Sequence, residues 1–228
     1  MPVRLLHEIT IILVFKEMPK NSLTVVETVE MLHCVANAII AAEPELTDAD
    51  RNLGDGDHGL GMQRGMTATI EKLNSTPIET ISQAFILVGM SMMSSMGGAS
   101  GAIFGTMFRS GGKAIDDPQT LSAKGLYQFL SSGNDGVMER GGAKPGDKTL
   151  IDSLSPAAIT AEEYSDAPLH ESLQAVAKAG EIGRDQSADF IATIGRAKTL
   201  GEKSVGFPDA GACSIAIMLR AMQEFVSK

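Results

Sequence analysis

From Leu23 onward the apolar residues return at helical spacing and nowhere settle into alternation, which restricts this chain to helix-on-helix architectures. Val26, Val29, Leu32, Val35, Ala36, Ile39 and Ile40 fall near one face of a helix. The same periodicity predicts further helices over about 60–73, 78–96, 101–114, 123–139, 150–159, 169–200 and 204–226. These stretches are rich in Ala, Met and Leu, which lose little side-chain freedom in a helix, whereas aromatic residues make up only 4% of the chain. The expected fold is therefore an all-α bundle. At 228 residues, with no internal repeat and no Pro- or Ser-rich linker, residues 23–228 read as a single domain, with residues 1–22 as an N-terminal extension.

The glycines are not spread evenly. Of the 24, 14 fall in four short stretches at or beside the junctions of the predicted helices, 53–65, 97–105, 141–146 and 206–211. Glycine at several junctions points to backbone approaching a ligand or to turns of positive φ, and both leave helix N-termini available to an anion.

Charge narrows the ligands. With 19 Lys and Arg against 28 Asp and Glu, the net charge is −9, which argues against nucleic acid as a partner but leaves a metal-bound nucleotide open. The two cysteines, Cys34 and Cys213, lie far apart with no Cys, His or Asp at a telling distance. They fit a reducing compartment, and we expect a cytoplasmic protein in which both thiols are buried. The apolar run Ile9 to Phe15 is too short to span a bilayer and lacks a small-residue cleavage site, so no membrane association is expected. It reads as a start-site extension or a helix packed on a neighbour.

The densest chemistry lies in Asp48, Asp50, Asn52, Gly54, Asp55, Gly56, Asp57, His58 and Gly59, where acidic side chains alternate with residues too small to obstruct close approach. Magnesium takes oxygen ligands and shares a few carboxylates with substrate phosphates, whereas zinc asks for more His and Cys than this loop holds. Asp50, Asp55 and Asp57 are the metal-ligand candidates. An EF-hand fails, because its sixth position would be Leu53 rather than Gly and its twelfth Gly59 rather than Glu. From the residues alone a solvated turn, with Asp57 capping a helix that begins near His58, fits as well as a metal site.

Three further segments carry weaker signals. Gly97, Gly98, Ala99, Ser100 and Gly101 would start a helix with exposed amides, a phosphate cradle or simply a tight turn. The segment from Gly141 to Thr149 ends in Gly-Asp-Lys-Thr but is not a Walker A loop, since Asp147 separates Gly146 from Lys148 and the upstream pattern is helical. There Asp147 and Thr149 are expected to cap the next helix, with Lys148 a solvated cation or a phosphate partner. In the last segment Arg196 offers a planar fork to a phosphate, or pairs with Glu202 or Asp189, and Asp209 is a candidate N-cap. His58 is the one histidine inside any cluster, either as the acid, base or phosphate-contacting imidazole or as support for such groups.

Six strings in series, GDGDHG at 54–59, GGASG at 97–101, KPGDKT at 144–149, GRA at 195–197, LGEKS at 200–204 and DAGA at 209–212, resemble the nucleotide-binding L subunit of dihydroxyacetone kinases. The resemblance runs through nearly the whole chain after residue 22. It implies an antiparallel eight-helix barrel that binds ADP or ATP at one end through two magnesium ions held by a loop of aspartates. By position, Asp50, Asp55 and Asp57 match metal ligands, and His58, Gly59 and Gly61 match the phosphate-side turn. Ala99 and Ser100 match the phosphate loop, Gly141 and Leu150 the pocket wall, Arg196 the phosphate-facing arginine, and Gly211, Ala212 and Cys213 the last nucleotide loop. The chain departs from the family pattern at Gly61, where a polar residue is common, at Thr199 for tyrosine, at Lys203 for arginine and at Ala210 for proline.

The implied activity is magnesium-assisted phosphoryl transfer to dihydroxyacetone or a related short ketose such as erythrulose. The ketose is held on a separate K subunit, and His58 and Arg196 position the phosphoryl group. The phosphate donor implied is ATP or a phosphotransferase-system phosphocarrier protein that recharges bound ADP. The implied partners are thus the K subunit, that phosphocarrier and a second copy of the chain as a homodimer. The competing readings are a nucleotide-loaded regulatory module that docks on a protein without turnover, and a calcium-stabilised helical structural protein.

Overall fold

The computed structural model describes residues 19–228; the apolar run at 9–15 lies outside the described residues. Nine α-helices are present among them: α1 Val25–Ala41, α2 Glu43–Arg51, α3 His58–Ser75, α4 Ile81–Ser95, α5 Gly98–Ala114, α6 Ala123–Gly141, α7 Ile151–Glu163, α8 Leu169–Gln186 and α9 Ala210–Val226. Eight of them close a ring. Each of α3 to α8 packs on its successor, and the circle is completed by α1, which touches both α9 and α3. Short connections between packed neighbours make such a ring run up and down. Short α2 sits outside the cycle, wedged against α3 and α9.

The barrel interior is filled rather than open. Phe85 of α4, Phe108 of α5 and Phe129 of α6 are all buried and lie with ring centroids 4.4 to 6.4 Å apart, a geometry that favours tilted aromatic contacts. Helix starts are set locally. Thr24 accepts the Glu27 amide while Glu27 Oε2 accepts the Thr24 amide at 2.9 Å, a reciprocal capping box that opens α1.

Up-and-down connectivity sorts the connections by end. The α3–α4, α5–α6 and α7–α8 connections share one end, where β1 Leu23–Thr24 pairs antiparallel with β2 Thr120–Leu121 and Leu169 N–H donates to Asn21 O at 3.0 Å. The α2–α3, α4–α5, α6–α7 and α8–α9 connections share the other end, and these are the glycine-rich ones. Helical spacing thus leads directly to a site, because alternation along the ring gathers four distant glycine clusters.

Two expectations about elements are corrected. Helix α2 is absent from the periodic pattern, since Glu43–Arg51 is polar and buries only Leu46 and Thr47, too narrow a face for a periodic signal. The predicted helix over 169–200 instead ends at Gln186, followed by a turn of 3₁₀-helix at Ser187–Asp189, an extended stretch and a second 3₁₀ segment at Arg196–Ser204. Ile191 and Ile194 prolong the apolar spacing, but Ile191 is exposed and Gly195 takes φ 73°, which no helix accommodates.

Candidate functional site

At the glycine-rich end a cavity of about 480 Å³ opens between the four connections, within the size range of small-molecule sites. Its inner wall is apolar, from Leu53, Met96, Ile103, Phe104, Leu150 and Ile194, and its rim is polar.

The aspartate cluster is built by two tight turns. Gly54 donates its amide to Asp50 O at 2.6 Å, and a side chain there would collide with the Asp50 carboxylate; Gly56 takes φ 74°. Carboxylate oxygens of Asp50, Asp55 and Asp57 then lie within 4.8 Å of one another. Arg196, reaching across from the α8–α9 connection, pairs closely with Asp55 and sits 3.9 Å from Asp57. One guanidinium against three carboxylates leaves excess negative charge at close quarters. An all-oxygen donor set of this kind suits a hard divalent cation such as magnesium.

The capping alternative is settled by hydrogen bonds. Asp57 makes no side-chain cap to α3; instead Asp50 Oδ2, from α2, accepts the His58 amide at 3.2 Å. The Asp57 carboxylate is therefore left facing the cavity. Helical periodicity conceals this arrangement, since it is the polar helix α2 that carries Asp50 to the start of α3.

Across the cavity, Gly97 and Gly98 take φ 74° and 62°, and α5 begins with no side-chain cap. The first amides of that helix, at Gly98, Ala99 and Ser100, have no carbonyl a turn earlier to bond, so they form a ready anion cradle.

His58 is buried, with Nε2 2.8 Å from Ser214 Oγ, whose hydroxyl donates to Ala210 O at 3.1 Å. Burial pulls its pKa below the usual imidazole value, opposed by the Asp50 charge, so the ring is neutral at neutral pH. Its position 6.0 Å from the Phe104 ring makes it part of the cavity floor.

Asp209 caps α9, accepting the Ala212 amide at 2.8 Å, as expected from the sequence. Removal from water pushes its carboxyl up to about 7, opposed by that same hydrogen bond. A proton held in the folded chain but released by the unfolded chain above 3.8 makes folding stability fall as pH rises from 3.8 to about 7, with no further loss beyond. Asp209→Asn is expected to flatten this slope, so that thermal melts between pH 5 and 8 show a smaller decline in the variant. An unchanged slope would contradict it.

Of the residues singled out, Asp50, Asp55, Asp57, His58, Gly61, Ala99, Ser100, Leu150, Arg196 and Gly211 line the cavity. Four do not. Gly59 faces α2, where a methyl would collide with Glu43 O and Thr47, and Gly141 ends α6 beside Ile103. Ala212 contributes its amide to the Asp209 cap. Cys213 is buried, its thiol pushed up to about 12 by burial, an inert packing group. Cys34, expected to be buried, is exposed.

The 141–149 segment also differs from expectation. Asp147 does not cap α7 but accepts the Lys144 amide at 2.8 Å and the Thr193 hydroxyl at 2.5 Å; Asp152 takes the amides of Gly146 and Thr149. Lys148 is neither solvated nor free for a phosphate, since its ammonium is spent on backbone carbonyls. Thr149, expected to cap α7, does accept the Ile151 amide at 3.2 Å and also lines the cavity, while Leu53, Arg64, Phe104, Ile194 and Ser214 belong to the site and carry no role in the sequence reading. Thr149 lies within the KPGDKT string, whereas Ser214 is joined to His58 across 156 positions and has no local signal.

Comparison with known proteins places relatives over most of the chain. Residues 52–224 match the family model described as the DAK2 domain. The chain is 38% identical over 187 residues to the PEP-dependent dihydroxyacetone kinase, ADP-binding subunit DhaL, of Escherichia coli, covering 81% of this chain and 89% of that protein. It is 33% identical over 205 residues to the PTS-dependent dihydroxyacetone kinase, ADP-binding subunit DhaL, of Lactococcus lactis, covering 90% and 100%. In fold it resembles the crystal structure of the C. freundii dihydroxyacetone kinase in complex with AMP-PNP and Mg2+, with a TM-score of 0.68 at 22% identity. That match covers 98% of this chain and 38% of the longer one.

Proposed function

This chain belongs to the DAK2 domain family, and on that premise we propose that it is the ADP- or ATP-binding L subunit of a dihydroxyacetone-type kinase. The observation that carries the reading is the pairing, across one cavity, of a three-carboxylate cluster with an uncapped helix N-terminus. The first suits a cation and the second suits the phosphates it accompanies.

In this reading Asp50, Asp55 and Asp57 hold magnesium, two ions in all, and the apolar wall takes the nucleotide base. Bound magnesium supplies neutralisation of charge on the phosphate oxygens. The amides of Gly98, Ala99 and Ser100 receive phosphate oxygens without reorganising, because the helix already presents them. Arg196, tethered beside Asp55 and Asp57, places a permanent positive charge where the transferred group develops charge, and neutral His58, held by Ser214, fixes the first turn of α3. Positioning and charge stabilisation together account for most of the rate in such transfers.

The acceptor is a short-chain ketose, dihydroxyacetone or erythrulose, held on a separate K subunit. The relatives named as ADP-binding subunits support this, since this chain covers nearly their full length. Kinase activity is therefore expected only when a K subunit is added. A phosphotransferase-system phosphocarrier would recharge bound ADP in place of free ATP, and turnover with one donor and not the other decides between them.

The direct test is titration of ADP into nucleotide-stripped protein with and without magnesium. Binding that requires magnesium supports the assignment. Absence of binding under both conditions would overturn it.

A further inference from the structure

Lys148 lies at the cavity edge but does not face into it. It is 2% exposed and takes φ 62°, the left-handed region that non-glycine residues seldom adopt. Its ammonium donates to Ser187 O at 2.5 Å and Phe207 O at 2.6 Å, with Ala188 O at 3.4 Å, so three carbonyls meet its three N–H bonds. Burying an ammonium is costly unless it is satisfied in this way, and burial pulls the Lys148 pKa down while Asp209, Asp152 and Asp189 oppose that shift.

Those carbonyls belong to the two feet of one segment. Residues 190–206 rise from the end of the Ser187–Asp189 turn, carry Arg196 over the cavity and return to Phe207. The feet are also tied to each other, by Gly206 N–H to Ala188 O at 2.8 Å and Asp209 N–H to Ser187 Oγ at 2.9 Å. The residue beside Lys148 reaches the same segment, since the Asp147 carboxylate accepts the Thr193 hydroxyl and its carbonyl accepts the Thr193 amide at 3.3 Å. Above the feet the segment is held by the Arg196 pair with Asp55, by buried Ala192 and Ser204, whose Oγ accepts the Ala192 amide at 2.9 Å, and by Ile194 against the core; Val205 is exposed, and Gly195, Gly201 and Gly206 all have positive φ, so the bonds at the feet are what fix where these contacts sit.

We propose that Lys148 is the positioning residue that clamps both feet of the 190–206 segment, holding Arg196 over the cavity and so setting how long a bound nucleotide is retained. The retention part rests on the nucleotide-binding reading above. The clamp itself is tested independently of any ligand.

Trypsin provides the ligand-free test, because Arg196, Lys198 and Lys203 all lie on the segment, while Lys124 and Lys178 sit on helices α6 and α8 as controls. In the full chain, well below the melting temperature, Lys148→Met is expected to speed cleavage at the three segment sites by at least about tenfold and leave the two control sites unchanged. Release of a fluorescent magnesium–ADP analogue is expected to accelerate by a similar factor. Equal acceleration at all five sites, or an unchanged rate of release from protein that binds the analogue, overturns the proposal. Should Lys148→Met not fold, Thr193→Val removes the hydroxyl bond to the Asp147 carboxylate at the same foot, leaving the backbone bond, and is expected to move both readouts in the same direction by a smaller factor. If the unsubstituted chain binds no analogue, the nucleotide reading fails, and site-selective cleavage alone decides the clamp.

Discussion

Asp57→Ala is expected to weaken magnesium-dependent ADP binding by at least about 100-fold, since loss even of a residue that merely supports a metal ligand costs about 10- to 100-fold. The same substitution is expected to leave the nucleotide-free melting temperature unchanged or slightly raised. Asp57 makes no cap to α3, so no hydrogen bond of the fold is lost, and one of three crowded carboxylates is removed. Opposite effects on binding and stability are the mark of a residue held in place for a cation. Titration calorimetry and a thermal melt on one preparation measure both. Parallel losses would mean that the carboxylate serves the fold instead.

Gly59→Ala is expected to damage fold and site together. The position is helical and buried, so alanine gains about 1 kcal/mol in helix propensity. Against this, its methyl would collide with the Glu43 carbonyl and with both the amide and the hydroxyl of Thr47. Backbone of α2 cannot rotate away as a side chain can, and overpacking costs about 1–3 kcal/mol or more. The clash wins, and a net loss of about 2 kcal/mol lowers the melting temperature by roughly 4–8 °C in a chain of this size. Moving α2 also moves Asp50, which anchors the His58 amide, so magnesium-dependent binding weakens in the same variant. An unshifted melt with unshifted binding would show that α2 yields without consequence.

These two positions mark how far local sequence reaches. Asp57 stands out because acidic side chains alternate with glycines over a few residues, a signal contained in one stretch of chain. Gly59 sits in the same stretch and reads as a phosphate-side residue, because nothing local reveals which neighbour a helical glycine faces. Helix α2 is silent for a related reason: with only Leu46 and Thr47 buried, it has no apolar stripe, and it matters for the carboxylate and the backbone it presents to α3. The break at Gln186 is masked by Ile191 and Ile194, whose spacing mimics a continuing helix although Ile194 lines the cavity.

The sequence by itself determined the helical class, the acidic loop, the glycine junctions and the family, since each is written in spacing over a few residues or in strings that recur in order. Only the tertiary structure decided that Asp50 rather than Asp57 caps α3, that His58 is held by Ser214, and that Lys148 is spent on the carbonyls of Ser187 and Phe207. The physical reason is packing of α2 on α3 for Asp50 and His58, eight positions apart, and range for the other two. Periodicity and turn chemistry act between near neighbours along the chain. A hydrogen bond that joins positions 39 to 156 apart exists only once closing the ring of helices has brought its donor and acceptor to the same end.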